Sequence, residues 1–180
     1  QAVWVDFKLA EYQITYDTIN ATANVVTTIT FDQARDGHPL FDLKNKPKSI
    51  SIDGVSTSQK LVATPGKATV VRMIKKNLKA GTHTMRIEST IASGVHFKEN
   101  RKNWGSVSSA FFIRDLKDRM FLEKYLPTNF EYDNYKMIMD VEVTGTKRFH
   151  SLFANGDITK LSEFHYRVEF PEYYASSSVF

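Results

Sequence analysis

The chain has no cysteine among its 180 residues, which excludes disulfides, thiol nucleophiles and cysteine-based zinc sites outright. Its absence fits an exported protein, periplasmic or secreted, and many cytosolic ones as well. The expectation leans only slightly towards export. No run of 18 apolar residues occurs, so no transmembrane helix is predicted. The opening "QAVWVDFKLA" lacks a basic start followed by an apolar run, so it shows no signal peptide. A mature chain beginning just after a cleavage site has this look. Glycine is scarce, with eight residues, and none sits in a Gly-rich loop of the phosphate-cradling kind.

Catalytic signatures are missing too. The five histidines, at 38, 83, 96, 150 and 165, form no i, i+4 pair, and HExxH is absent, so no metal site is predicted in this chain. The spacing puts His83 and His165 on polar strand faces. The serine clusters "SSA" (108–110) and "SSS" (176–178) lack the G-x-S-x-G elbow of an activated nucleophile. Carboxylate pairs occur in "EYD" (Glu131, Asp133) and "RDLKD" (Asp115, Asp118). Glycosidic chemistry needs two carboxyls facing each other across a sugar, which local spacing does not supply. The residues make no self-sufficient active site.

Charge decides little. Lysine and arginine number 24 against 20 acids, grouped as "KNKPK" (44–48), "RMIKK" (72–76) and "KENRK" (98–102), all of which read as solvated turns and strand ends. No nucleic-acid reading module accompanies them.

What the chain does have is aromatic bulk, 13 Phe and 8 Tyr, and period-two alternation. In "NATANVVTTITFD" Ala21, Ala23, Val25, Thr27, Ile29 and Phe31 share one face, and Thr22 through Asp32 line the other. That is the pattern of a strand with one wet side, as in an antiparallel sheet. Before it, Ala10, Tyr12, Ile14 and Tyr16 alternate with polar residues, and "DTIN" makes the two a hairpin. Further strands are predicted at "PLFDL", "SISIDG" with an Asp53-Gly54 turn, "ATVVRMI", "THTMRIES", 136–143 and 163–170. Asn155-Gly156 is a turn dipeptide, after which "TKLSE" argues for a longer loop. Helix is limited to one or two turns within 114–125. The expected fold is therefore all-β: a single domain over 1–180, an antiparallel β-sandwich or strongly bent sheet, with one short helical segment. The segment 92–109 is left as a surface loop or crossing strand. The apolar end, Val179-Phe180, suggests that more chain follows.

The order of segments carries a resemblance. "YLPTNFEYDNYKMIMDVEV", then "LFANG" (152–156), then "FPEYYASSSVF" resembles the N-terminal β-domain of the M1 family of zinc aminopeptidases, the aminopeptidase N and leukotriene A4 hydrolase group. There a Pro-acid motif precedes a strand, a "SNG" turn follows, and a "MSTYLVAF"-like run closes the domain. The matching positions are Pro127, Asp133, Lys136, Asn155 and Gly156. "YQITYDTINATANVVTTITF" is similar to the family's opening hairpin, and "KNLKAGTHTMRIES" to its "L.aG.h.L.i.Y" strand. The family's "TQFE...DAR" segment, which holds the substrate's amino end, reads "FFIRDLKDRM" here, without Gln. Asp115 is the nearest acidic candidate for that role.

The resemblance implies a noncatalytic N-terminal domain that shapes and covers the cleft of a downstream catalytic domain in the same polypeptide. Zinc and the peptide substrate would belong to that parent protein; this chain would hold no cofactor. Residues Pro127, Phe130, Tyr132, Asp133 and Tyr135 would pack the junction. The alternative is a stand-alone exported carbohydrate- or protein-binding sandwich, using aromatics such as Trp4, Trp104, Phe111, Phe112, Tyr173 and Tyr174.

Overall fold

The computed structural model describes residues 1–62, 70–92, 122–129, 134–147, 151–154 and 156–174, without the side chains of Pro171, Tyr173 and Tyr174. Among the described residues the strands are β1 (Ala2–Trp4), β2 (Asp6–Asp17), β3 (Thr22–Gln33), β4 (His38–Asp42), β5 (Ser49–Ile52), β6 (Val55–Ser56), β7 (Gln59–Leu61), β8 (Val71–Ile74), β9 (Gly81–Ile91), β10 (Asn134–Thr144), β11 (Asp157–Ser162) and β12 (His165–Tyr174). They form a four-stranded sheet, β1-β4-β8-β7, and an eight-stranded sheet, β11-β12-β10-β2-β3-β9-β5-β6. The fold is an all-β sandwich. Among the described residues, strand pairing is antiparallel except for β1 with β4 and β10 with β2.

Alternation sets the faces. In β3, Ala23, Val25, Thr27, Ile29, Phe31 and Gln33 are buried and the residues between them are not. In β2 the phase slips by one residue: Phe7 and Ala10 are both buried, because a bulge between Phe7 and Leu9 absorbs the extra residue. Phe7, Phe31, Phe41, Phe170, Tyr12 and Tyr135 are among the largest fully buried side chains. They join one cluster drawn from both sheets. Each contributes about 1.5–3 kcal/mol by leaving water.

Turn chemistry agrees with the sequence. Asp53 and Gly54 both have positive φ, 50° and 76°, the mirror-image turn that matches strand twist in a two-residue hairpin. Two expectations are corrected. "TKLSE" is not a loop: its first four residues, 159–162, are most of β11, paired with β12, and Glu163 begins the turn that follows. All residues of β11 are exposed, and an edge strand wet on both faces shows no alternation to read. His83 lies not on the polar face but in phase with Met85 and Ile87, opposite Phe31. Of the predicted helical segment, a 3₁₀ turn at Leu122–Lys124 is present, and 114–121 lies outside the described residues. So does 93–109 of the unassigned stretch.

Candidate functional site

Strand β10 runs parallel to β2, from Lys136 opposite Leu9 to Thr144 opposite Asp17. A parallel neighbour cannot be reached by a tight turn, so the chain must be carried back across the fold before β10 begins. The segment 122–129 is where it arrives. Leu122 and Leu126, four residues apart on one turn, are buried in the core. The amides of Tyr125 and Leu126 both donate to the Leu122 carbonyl at 2.9 Å. Pro127 then ends the turn, since proline disfavours helical backbone at the residue before it.

From there the segment is tied to both sheets. Thr128 and Asp42 exchange two backbone hydrogen bonds of 2.9 Å, and the Lys44 amide donates to the Glu123 carbonyl at 2.7 Å. These fix it to the end of β4. On the large sheet, the Tyr12 hydroxyl donates to the Pro127 carbonyl at 2.7 Å, and the Asn129 side-chain amide donates to the Val5 carbonyl. Val5 is the residue at which the chain passes from one sheet to the other, between β1 and β2. Thr128 and Asn129 are buried polar residues, as are Asp42 and Glu123.

Two of the predicted junction residues meet here. Pro127 is buried and bonded through its carbonyl to Tyr12. Tyr135 packs edge-on against Phe7, with ring centroids 5.3 Å apart. Burial drives the Tyr12 phenol well above the ordinary tyrosine range, and a hydrogen bond with the Tyr135 side chain offsets part of that. The phenol is therefore a fixed donor, not an acid. Phe130, Tyr132, Asp133 and Asp115 lie outside the described residues, as do Trp104, Phe111 and Phe112. Sequence reading missed Tyr12, Asp42 and Asn129. The alternation that marks Tyr12 as core says nothing of a partner 115 positions away.

A second polar arrangement supports the far side of the segment. Arg72 of β8 donates from Nη1 to Gln59 Oε1 at 2.6 Å, and from Nη2 to the carbonyls of Lys44 and Asn45 at 2.9 and 3.0 Å. Desolvation pulls its guanidinium down to about 10. Lys44 thus links the Arg72 fork to the Glu123 backbone. Elsewhere, an open hollow of about 340 Å³ lies beside Trp4, edged by Asp6, Asp32, Gln33 and Thr82. Among the described residues no three His, Asp or Glu side chains gather to hold a metal, so the donor set that zinc requires is not found there. Nor does any described helix have the length and apolarity to cross a membrane.

Comparisons with known proteins bear on this architecture. No family model matches the chain, and no curated protein matches it in sequence. Solved structures do match in fold. Leukotriene A4 hydrolase of Saccharomyces cerevisiae superposes with a TM-score of 0.75 at 10% identity, over 97% of this chain and 28% of the enzyme. An M1 zinc metallopeptidase of Deinococcus radiodurans gives 0.63 at 15% identity, over 97% of this chain and 41% of its own. The fold is that of a domain of the M1 zinc metallopeptidases. This chain spans between about a quarter and two fifths of the length of these M1-type structures, 26% to 41%.

Proposed function

We propose that this chain is the noncatalytic N-terminal domain of an M1-type zinc metallopeptidase with aminopeptidase activity. The observation that carries the reading is the match over 97% of this chain to only 28% of the yeast enzyme. The order of the Pro127 segment, β10, the Gly156 turn and β12 supports it. Gly156 fits the turn for a steric reason: a Cβ there would stand 2.8 Å from the Glu169 carbonyl oxygen and 2.9 Å from Val168 Cγ1.

In this reading the anchored segment delivers the chain to a junction with the catalytic domain. Phe130, Tyr132 and Asp133 meet that domain, while Pro127 and Tyr135 brace the junction from within the sandwich. Asp115 lies toward the amino end of the peptide substrate. The domain shapes and covers the cleft; zinc and hydrolysis belong to its neighbour. The purified chain is expected to bind no zinc and to cleave no aminoacyl arylamide. Chelator-sensitive hydrolysis by the purified chain would overturn the proposal.

The hollow beside Trp4 favours a second reading, a carbohydrate-binding sandwich, because an aromatic edge ringed by acceptors suits a polyhydroxyl ligand. It predicts glycan affinity that Trp4→Ala abolishes. A flat calorimetric titration against a glycan panel would dispose of it.

A further inference from the structure

His83 stands two residues into β9 with its side chain 15% exposed. Both ring nitrogens are engaged: Nδ1 lies 2.7 Å from Asp53 Oδ2, and Nε2 lies 3.0 Å from the Lys79 carbonyl oxygen. An ionised carboxylate and a carbonyl oxygen only accept. A neutral imidazole has one N–H and satisfies one of them; the imidazolium satisfies both. We propose that His83 is a proton-operated latch, which joins the Asp53-Gly54 turn to the loop of residues 75–80 when protonated and lets that loop go when it loses its proton.

The geometry also fixes which bond breaks. Asp53 is held firmly, its amide donating to the Thr84 carbonyl at 2.8 Å and its Oδ1 accepting from the Thr84 amide at 2.9 Å. The charged oxygen beside Nδ1 retains the proton there, so Nε2 is the position that deprotonates to solvent. Its lone pair then faces the Lys79 carbonyl oxygen, and the contact becomes repulsive. The loop then rests on its other ties: Lys79 Nζ to Asp36 at 2.7 Å, the Ala80 amide to Asp36 at 2.9 Å, the Lys75 amide to the Ser58 carbonyl at 2.9 Å, the paired backbone bonds of Leu78 with Gly37 at 2.8 and 2.9 Å, and the Gln33 side-chain amide to the Leu78 carbonyl at 3.1 Å.

The surroundings bias the ring towards its charged form. From the β5–β6 turn it faces the Asp53 carboxylate, from the loop Lys76 opposes it, and from β3 it meets the uncharged ring of Phe31, 5.7 Å between centroids. Partial burial is the largest single effect and pulls the imidazole down. The bonds to Asp53 and the Lys79 carbonyl, with the charge of Asp53, outweigh it and hold His83 above its ordinary value. A raised histidine contributes fully below its unfolded value of about 6.5. That contribution is lost as pH rises through the folded midpoint.

Nitrogen-15 NMR of the imidazole across this range, with amide exchange corrected for intrinsic rates, tests the latch. The expected results are a midpoint above that of free histidine, a neutral form protonated at Nδ1, and faster exchange at Leu78 and Ala80 across the same midpoint, with Met85 and Ile87 unchanged. Asp53→Asn, which tolerates the positive φ, lowers the midpoint. A wild-type midpoint at or below that of free histidine, a neutral form protonated at Nε2, or unchanged exchange at Leu78 and Ala80 would each overturn the latch, whatever the variant does.

Discussion

The Tyr12 hydroxyl donates to the Pro127 carbonyl at 2.7 Å across 115 residues of sequence. Through that bond the centre of β2 holds the segment that leads into its own parallel neighbour, β10. Tyr12→Phe keeps the ring and removes the donor, leaving a buried carbonyl unpaired. A loss of about 1–3 kcal/mol is expected in urea unfolding, with far-UV circular dichroism unchanged. Wild-type stability in this variant would mean that the segment is held by its apolar contacts alone.

Arg72 gathers three acceptors, two from the loop after β4 and one from β7, with one planar fork. Lysine carries the charge but cannot match that geometry. Arg72→Lys and Arg72→Met are therefore both expected to lose about 2–3 kcal/mol. Full stability in Arg72→Lys would show that charge, not shape, is what this position requires.

Two glycines separate strain from crowding. Gly54 has φ 76° and open space where a Cβ would stand, with nothing within 4 Å. Gly145 has φ 81°, and a Cβ there would sit 2.9 Å from Ile19 Cγ1 and Thr18 Oγ1. Gly145→Ala is expected to cost more than Gly54→Ala, which bears only the left-handed backbone strain of about 1 kcal/mol. Equal melting temperatures in the two variants would remove the steric argument.

The β2–β3 turn is an acid-sensitive feature. Asp17 accepts from the Asn20 side chain at 2.6 Å and from the amides of Asn20 and Ile19 at 3.2 and 2.9 Å. The Asn20 bonds, chiefly, hold its carboxyl below the ordinary aspartate value. A depressed carboxylate stabilises above its unfolded value and ceases to do so as pH falls through its folded one. The amide shifts of Ile19 and Asn20 should follow a midpoint below about 3.9. A midpoint at or above that value would contradict the turn geometry.

Much of the fold was legible because it rests on local pattern. The period of β3, the Asp53-Gly54 turn and the β2–β3 hairpin each depend on neighbours in sequence. What was not legible depends on distant pairing. Nothing in β10 announces a parallel partner, and nothing near Pro127 names Tyr12, Asp42 or Asn129's target Val5. His83 was misplaced for a related reason: a polar residue on an inner face makes sense only once Asp53 and the Lys79 carbonyl are beside it. Of the junction residues that the resemblance implies, Pro127 and Tyr135 are buried within this domain, and Phe130, Tyr132 and Asp133 lie outside the described residues.

The intact mass of the native gene product tests the central claim most directly. An N-terminal domain of an M1-type peptidase predicts a mass several times that of 180 residues, with HExxH in the sequence that follows Phe180. A mass matching this chain alone would contradict that account and leave the binding module in its place.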